Sequence, residues 1–150
     1  MITVESVPEE IFQDLLNTYW MDTEDFPKPE IIIANDVDEA IARINLEDSD
    51  YIIISIQASE SFQSRGNCHY YDRVIPGISA NILSKVSRQR IRNLSKMVRA
   101  IMADHKWDFS GYQIVKPAGY KELVNTDLNI WRAEATFRIE AHAILIETLL

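Results

Sequence analysis

The feature that most constrains the fold is a two-residue alternation near the end of the chain. Trp131, Ala133, Ala135, Phe137, Ile139, Ala141, Ala143 and Leu145 occupy every second position, with Arg132, Glu134, Thr136, Arg138, Glu140 and His142 between them. Successive side chains of a strand point to opposite faces, so the spacing predicts a strand over 131–145 with one apolar and one polar face. Such a strand would be roughly 50 Å long, whereas most hold about 3–10 residues. That length requires a bend, or a strand that runs past its own sheet to a neighbour.

An apolar strand face needs a second layer, and the segment 87–105 supplies it. Ile91, Leu94, Val98, Ile101 and Met102 recur at helical spacing, and Ser87 stands where an N-cap belongs. The helix would be about 27 Å long, enough to cross a small sheet. The expected core is therefore Phe137, Ile139 and Ala135 against Val98, Leu94 and Ile101.

Shorter signals fill in the rest. Ser6 and Glu9 have the capping-box spacing, Pro8 fits a first turn, and Ile11, Leu15, Leu16 and Tyr19 follow at helical spacing to about Trp20. Ile31-Ile32-Ile33 between Pro29 and Asn35-Asp36 predicts a strand over 30–34, with Asp36 capping a short helix over 37–44. Residues 51–56 read as a strand buried on both faces. The polar stretch 58–69, with Gly66-Asn67, reads as a long, mobile hairpin-like connection. A strand over 70–83 follows, and Pro76-Gly77 inside it marks an edge, a bulge or a bend. After the long helix the spacing predicts a short strand over 112–116, stopped by Pro117-Ala118-Gly119, then a loop with a possible helical turn over 120–129. The resulting class is α+β: a mixed, mainly antiparallel sheet packed by one long central helix and an N-terminal helix, in a single domain over 1–150.

Composition permits such a core: 47% of the 150 residues are apolar, and glycine and proline are few. The single cysteine, Cys68, excludes an intrachain disulfide. Met1-Ile2-Thr3-Val4-Glu5 has neither the basic nor the apolar region of a secretory signal, and no apolar run approaches the ~20 residues that span a bilayer. The expectation is a protein made and used in a cytoplasm, or carried in a particle assembled there, with no membrane partner.

Catalytic patterns are missing. Cys68-His69 stands alone, because His105 and His142 lie on other elements and no CxxC, HxxxH or HExxH spacing occurs. His105, near a helix C-terminus, suits the dipole there. Glu9-Glu10, Asp36/Asp38/Glu39 and Asp48/Asp50 fall in caps and turns. Asp36-Val37-Asp38 lacks the glycine and spacing of a calcium loop. Four scattered glycines, Gly66, Gly77, Gly111 and Gly119, cannot build a phosphate cradle. The sequence thus predicts no enzyme, no metal and no cofactor.

Charge is distributed unevenly. The chain carries 15 basic and 23 acidic residues, yet no Asp or Glu falls between Arg73 and Ala103, where seven of the basic ones lie. The remainder carries a net charge of -15 against an overall -8. Taking about 100° per residue, Arg88, Arg92, Lys96 and Arg99 share one flank of the helical apolar stripe. Arginines in a first turn also oppose the helix dipole. Three readings are open for this flank: a solvated face, a subunit interface that meets acidic surface on a neighbouring copy, or a contact with nucleic-acid backbone.

The order of these pieces resembles a known family. Tyr71-Asp72-Arg73, a strand through Ile82, Ser87-Arg88-Gln89-Arg90 opening a helix that ends in Val98-Arg99-Ala100-Ile101-Met102, and the terminal strand from Asn129 to Ile139 together resemble the tail terminator proteins of long-tailed bacterial and archaeal viruses. The similarity runs over 51–145, with the N-terminal helix in order. Pro76-Gly77 and the 58–69 connection have no counterpart in the family pattern. The resemblance implies a virion structural protein of the tail–head junction, or neck, assembled in the host cytoplasm as a homohexameric ring. Such a ring completes virus assembly by capping the tail tube protein and docking to the head-connector protein. DNA is threaded through its lumen without sequence recognition. The alternatives are a small non-enzymatic protein-binding adaptor and a nucleic-acid-binding regulatory domain using 85–99.

Overall fold

The structure, a computed structural model, describes residues 8–56, 61–64, 71–105, 114–125 and 130–141. In chain order the elements are α1 (Pro8–Tyr19), β1 (Glu30–Ile33), α2 (Val37–Arg43), β2 (Tyr51–Ile56), β3 (Ser61–Ser64), β4 (Tyr71–Ser84), α3 (Arg88–Asp104), β5 (Ile114–Asn125) and β6 (Ile130–Ala141). The strands form one mixed sheet in the order β1-β2-β4-β6-β5, with β3 paired to the early part of β4. Only β1 and β2 run parallel; the other pairs are antiparallel. The fold is α+β, with the long helix α3 and the N-terminal helix α1 packed on the sheet.

Alternation along the strands sorts side chains between two layers. Ile31, Ile52, Ile54, Ile78, Ala80, Ile82, Ala133, Ala135 and Phe137 point to one face. There they meet Phe12 and Leu16 of α1 and the full predicted stripe of α3, Ile91, Leu94, Val98, Ile101 and Met102. Phe12 and Phe137 pack edge to face, ring centroids 5.2 Å apart, a favoured aromatic geometry. The opposite face is apolar only at one end, where Ile53, Leu83, Ile130 and Leu46 are covered by Val37, Ala40, Ile41 and Ile44 of α2 and its C-cap. Two of the three helix caps expected from sequence are made: Asp36 accepts from the Glu39 backbone N–H at 3.2 Å and Ser87 from that of Arg90 at 3.1 Å.

One expectation is corrected. Residues 120–125 are not loop: β5 passes through the proline–glycine segment and pairs with β6 as far as Asn125, opposite Ile130. Polar edge residues such as Lys121 and Glu122 hide a strand, because only one of its faces meets the core and its outer edge is unpaired. The hairpin-like reading of 58–69 agrees with the antiparallel pairing of Ser61–Ser64 with Tyr71–Val74. The Ser6 cap, Cys68-His69, residues 107–110, His142 and the 142–145 end of the last strand lie outside the described residues, as does the side chain of Ile139.

Pro76-Gly77 and Pro117-Ala118-Gly119 share one role. Ile75 pairs with Ile139 and Ile78 with Phe137, so β4 holds one extra residue there. Pro117 pairs with Phe137 and Gly119 with Thr136, so β5 holds one extra residue as well. Both bulges flank β6 at the level of Phe137. A bulge bends its strand and sharpens the local twist, so β4 and β5 both turn beside Phe137.

Candidate functional site

The basic flank of α3 projects over β5. Register places Glu122 opposite Ala133 and Tyr120 opposite Ala135, on the same face as the core. The Arg92 guanidinium donates to both Glu122 oxygens, Nε to Oε1 at 2.6 Å and a terminal nitrogen to Oε2 at 3.3 Å. Arg88 approaches the same carboxylate at 3.7 Å and lies 5.2 Å from the Trp131 ring centroid. Arg99 stacks over Tyr120 at 4.9 Å, within cation–π range. The Arg92 hydrogen bond holds the Glu122 carboxyl below its usual range and, reciprocally, raises the guanidinium. Partial burial raises the Tyr120 phenol. Lys96 is exposed and makes no ion pair among the described residues.

The charge segregation therefore has an intramolecular component. No acid lies in the first turn of α3. Carboxylates arrive from elsewhere: Glu122 from β5, and Asp50, which accepts from Arg90 at 3.0 Å. Asp50 is 8% exposed and sits in the turn whose carbonyl receives the Glu30 amide. The Arg90–Asp50 pair thus fastens the start of α3 to the turn entering β2. Lys85 binds Glu47 at 2.5 Å, which lowers the Glu47 carboxyl. Long-range pairs supply at the helix N-terminus the negative charge that its own sequence lacks.

A second site lies on the other face of the sheet. Beyond the α2 patch the exposed layer turns polar: Ile53, Asn81, Glu134 and Lys121 form one cross-strand row, and Ser55, Ser79 and Thr136 the next. Ser79, Asn81, Ser55 and Glu134 are nonetheless buried. With the loop and first turn of α2 these strands enclose a cleft of about 680 Å³, lined by Asn35, Asp36, Asp38, Asn81, Arg132 and Glu134 among others. Arg132 donates to Asn81 Oδ1 at 3.0 Å and stands 3.6 Å from Asp38. Lys121 lies 3.9 Å from Glu134. Arg132 Nε and Ser79 Oγ are buried without a hydrogen-bond partner among the described residues. Sequence reading missed this cleft, although the signal was present. Ser55 interrupts an isoleucine run, Ser79 and Asn81 alternate with core residues, and Arg132 and Glu134 begin the polar face of the last strand.

Among the described residues no group of three or more His, Cys, Asp or Glu side chains could hold a metal, and no helix is long and apolar enough to cross a membrane. The four flank residues Arg88, Arg92, Lys96 and Arg99 lie together as the spacing required, two of them already engaged by Glu122. In comparisons with known proteins, the sequence matches no family model and no curated protein.

Proposed function

We propose that the chain is a virion structural protein that forms a ring, ends the tail tube and joins it to the head connector, with DNA passing through the lumen. The observation that carries this reading is the order of elements. An N-terminal helix, a long bulged strand, a long amphipathic helix and a long final strand follow one another as in the tail terminator proteins that the sequence resembles, and they build one mixed sheet. The overall charge of -8 suits a channel wall that must not grip DNA. Partners would be further copies of the chain, the tube protein and the connector protein, met in the host cytoplasm and retained in the virion.

The rival reading, a basic helix on a nucleic-acid backbone, would draw on cations that are partly engaged within the chain. Lys85, Arg88, Arg90 and Arg92 each face a carboxylate of the same chain. The deciding experiment is native mass spectrometry and negative-stain microscopy of the purified protein, alone and with tail tubes. A six-membered ring, in solution or seated on a tube end, is expected. A monomer that ignores tubes but retards DNA in a salt-dependent way would replace this reading with the rival one.

A further inference from the structure

We propose that the polar cleft between α2 and β6 receives the basic flank of α3 from a second copy of this chain, with Lys96 entering beside Asp38, so that copies meet head to tail. The inference rests on the ring reading and names the two surfaces that would close the ring.

The first argument is position. Glu122 and Tyr120, over which the basic flank lies, share the face of Ile82 and Ala133, whereas Asn81, Arg132 and Glu134 are on the opposite face. One molecule cannot bring the two surfaces together. Two different patches on opposite sides of a subunit define a heterologous contact, the kind that generates rings when the rotation closes.

The second argument is charge. The cleft is lined by Asp36, Asp38, Glu134 and Arg132, with Lys121 3.9 Å from Glu134, so among these described residues three carboxylates meet two cations. Asp38 is 90% exposed at its side chain, and its only ion pair among the described residues is the loose contact with Arg132. On the flank, Glu122 offsets only one of the Arg88 and Arg92 charges and Arg99 keeps its charge over Tyr120, so the flank stays net positive, with Lys96 its exposed cation that makes no ion pair among the described residues. A lysine carries three donors on a flexible stem, suited to a concave acidic surface.

The test uses two exposed positions on opposite faces, Asp38→Lys and Lys96→Glu, each checked by circular dichroism and thermal melting. Assembly is followed by light scattering and native mass spectrometry. Each single variant should need a roughly tenfold or higher concentration than wild type to assemble, because like charges would then meet at every interface. Mixing the two variants should restore assembly, since the intact cleft of one meets the intact flank of the other. The double variant should assemble as well. Asp38→Asn should show a smaller defect than Asp38→Lys. Folded single variants that assemble like wild type, or a mixture that does not recover, would overturn the cleft assignment and leave the ring standing. A wild-type protein that forms no ring, alone or on tubes, would remove the ring reading and this contact together.

Discussion

Phe137 stands where three constraints meet. It is 1% exposed, packs edge to face on Phe12, and lies between the bulges of β4 and β5. Truncation would leave a cavity at the bend, where neighbouring strands are already committed to bulge geometry and cannot collapse inward. Phe137→Ala should lower unfolding free energy by about 3–5 kcal/mol, read as a shift of the urea midpoint at unchanged slope. An unchanged midpoint would remove this residue from the core. Glu122 makes a different kind of contribution. Its carboxyl is held low by Arg92, so its stabilisation is present above the ordinary carboxylate range, near pH 4.3. That stabilisation is lost as pH falls through the lower folded value. Glu122→Gln should therefore be less stable than wild type at pH 7, and the two should converge in acid. A constant gap down to pH 2 would show that this carboxylate does not couple folding to protons.

At the scale of elements, the contacts that hold α3 include its apolar stripe, Asn93 donating to the Asp25 carbonyl at 3.2 Å, the Arg90–Asp50 pair and the Arg92–Glu122 pair. Removing one member of a pair this enclosed leaves the other charge poorly solvated. Arg90→Ala should cost about 1.5–3 kcal/mol, and the Asp50→Asn/Arg90→Ala double variant should lose less than the sum of the singles. Strict additivity would show that the pair is not coupled. The helices were legible in the sequence because periodicity and caps agreed: Ser87 and Asp36 cap as read, and the stripe from Ile91 to Met102 is buried throughout. The final strand was legible for the same reason. β5 was not, because an edge strand that meets the core with Tyr120 and Glu122 shows no apolar alternation. The basic flank was visible as a cluster, but its partner Glu122 lies 30 residues away and only tertiary pairing reveals it. The cleft draws on residues from four elements, and no local pattern announces such a site.

For the whole molecule, charge is the organising variable. Four of the cations in the acid-free segment meet three carboxylates of the same chain, and Lys96 is exposed. Exposed charges interact over about 10 Å at 0.1 M salt and about 3 Å at 1 M. Raising salt from 0.1 M to 1 M should therefore shift assembled protein toward smaller species in light scattering, while the melting temperature of Phe12 and Phe137 surroundings changes little. Assembly that strengthens with salt would point instead to an apolar interface. The paired bulges have a separate consequence. Proline has no amide hydrogen, so the ladders on both sides of β6 are interrupted at the level of Phe137 by Pro76 and Pro117. Beyond that level lie 71–75 of β4, all of β3, 114–116 of β5 and 139–141 of β6, which pair with one another. The far portion can then open as a sub-global unit while the near portion stays closed. In native-state hydrogen exchange, amides at 72–75 and 139–141 should trade protons by a route of lower free energy than those at 79–83 and 132–136, and added denaturant should merge the two groups only near global unfolding.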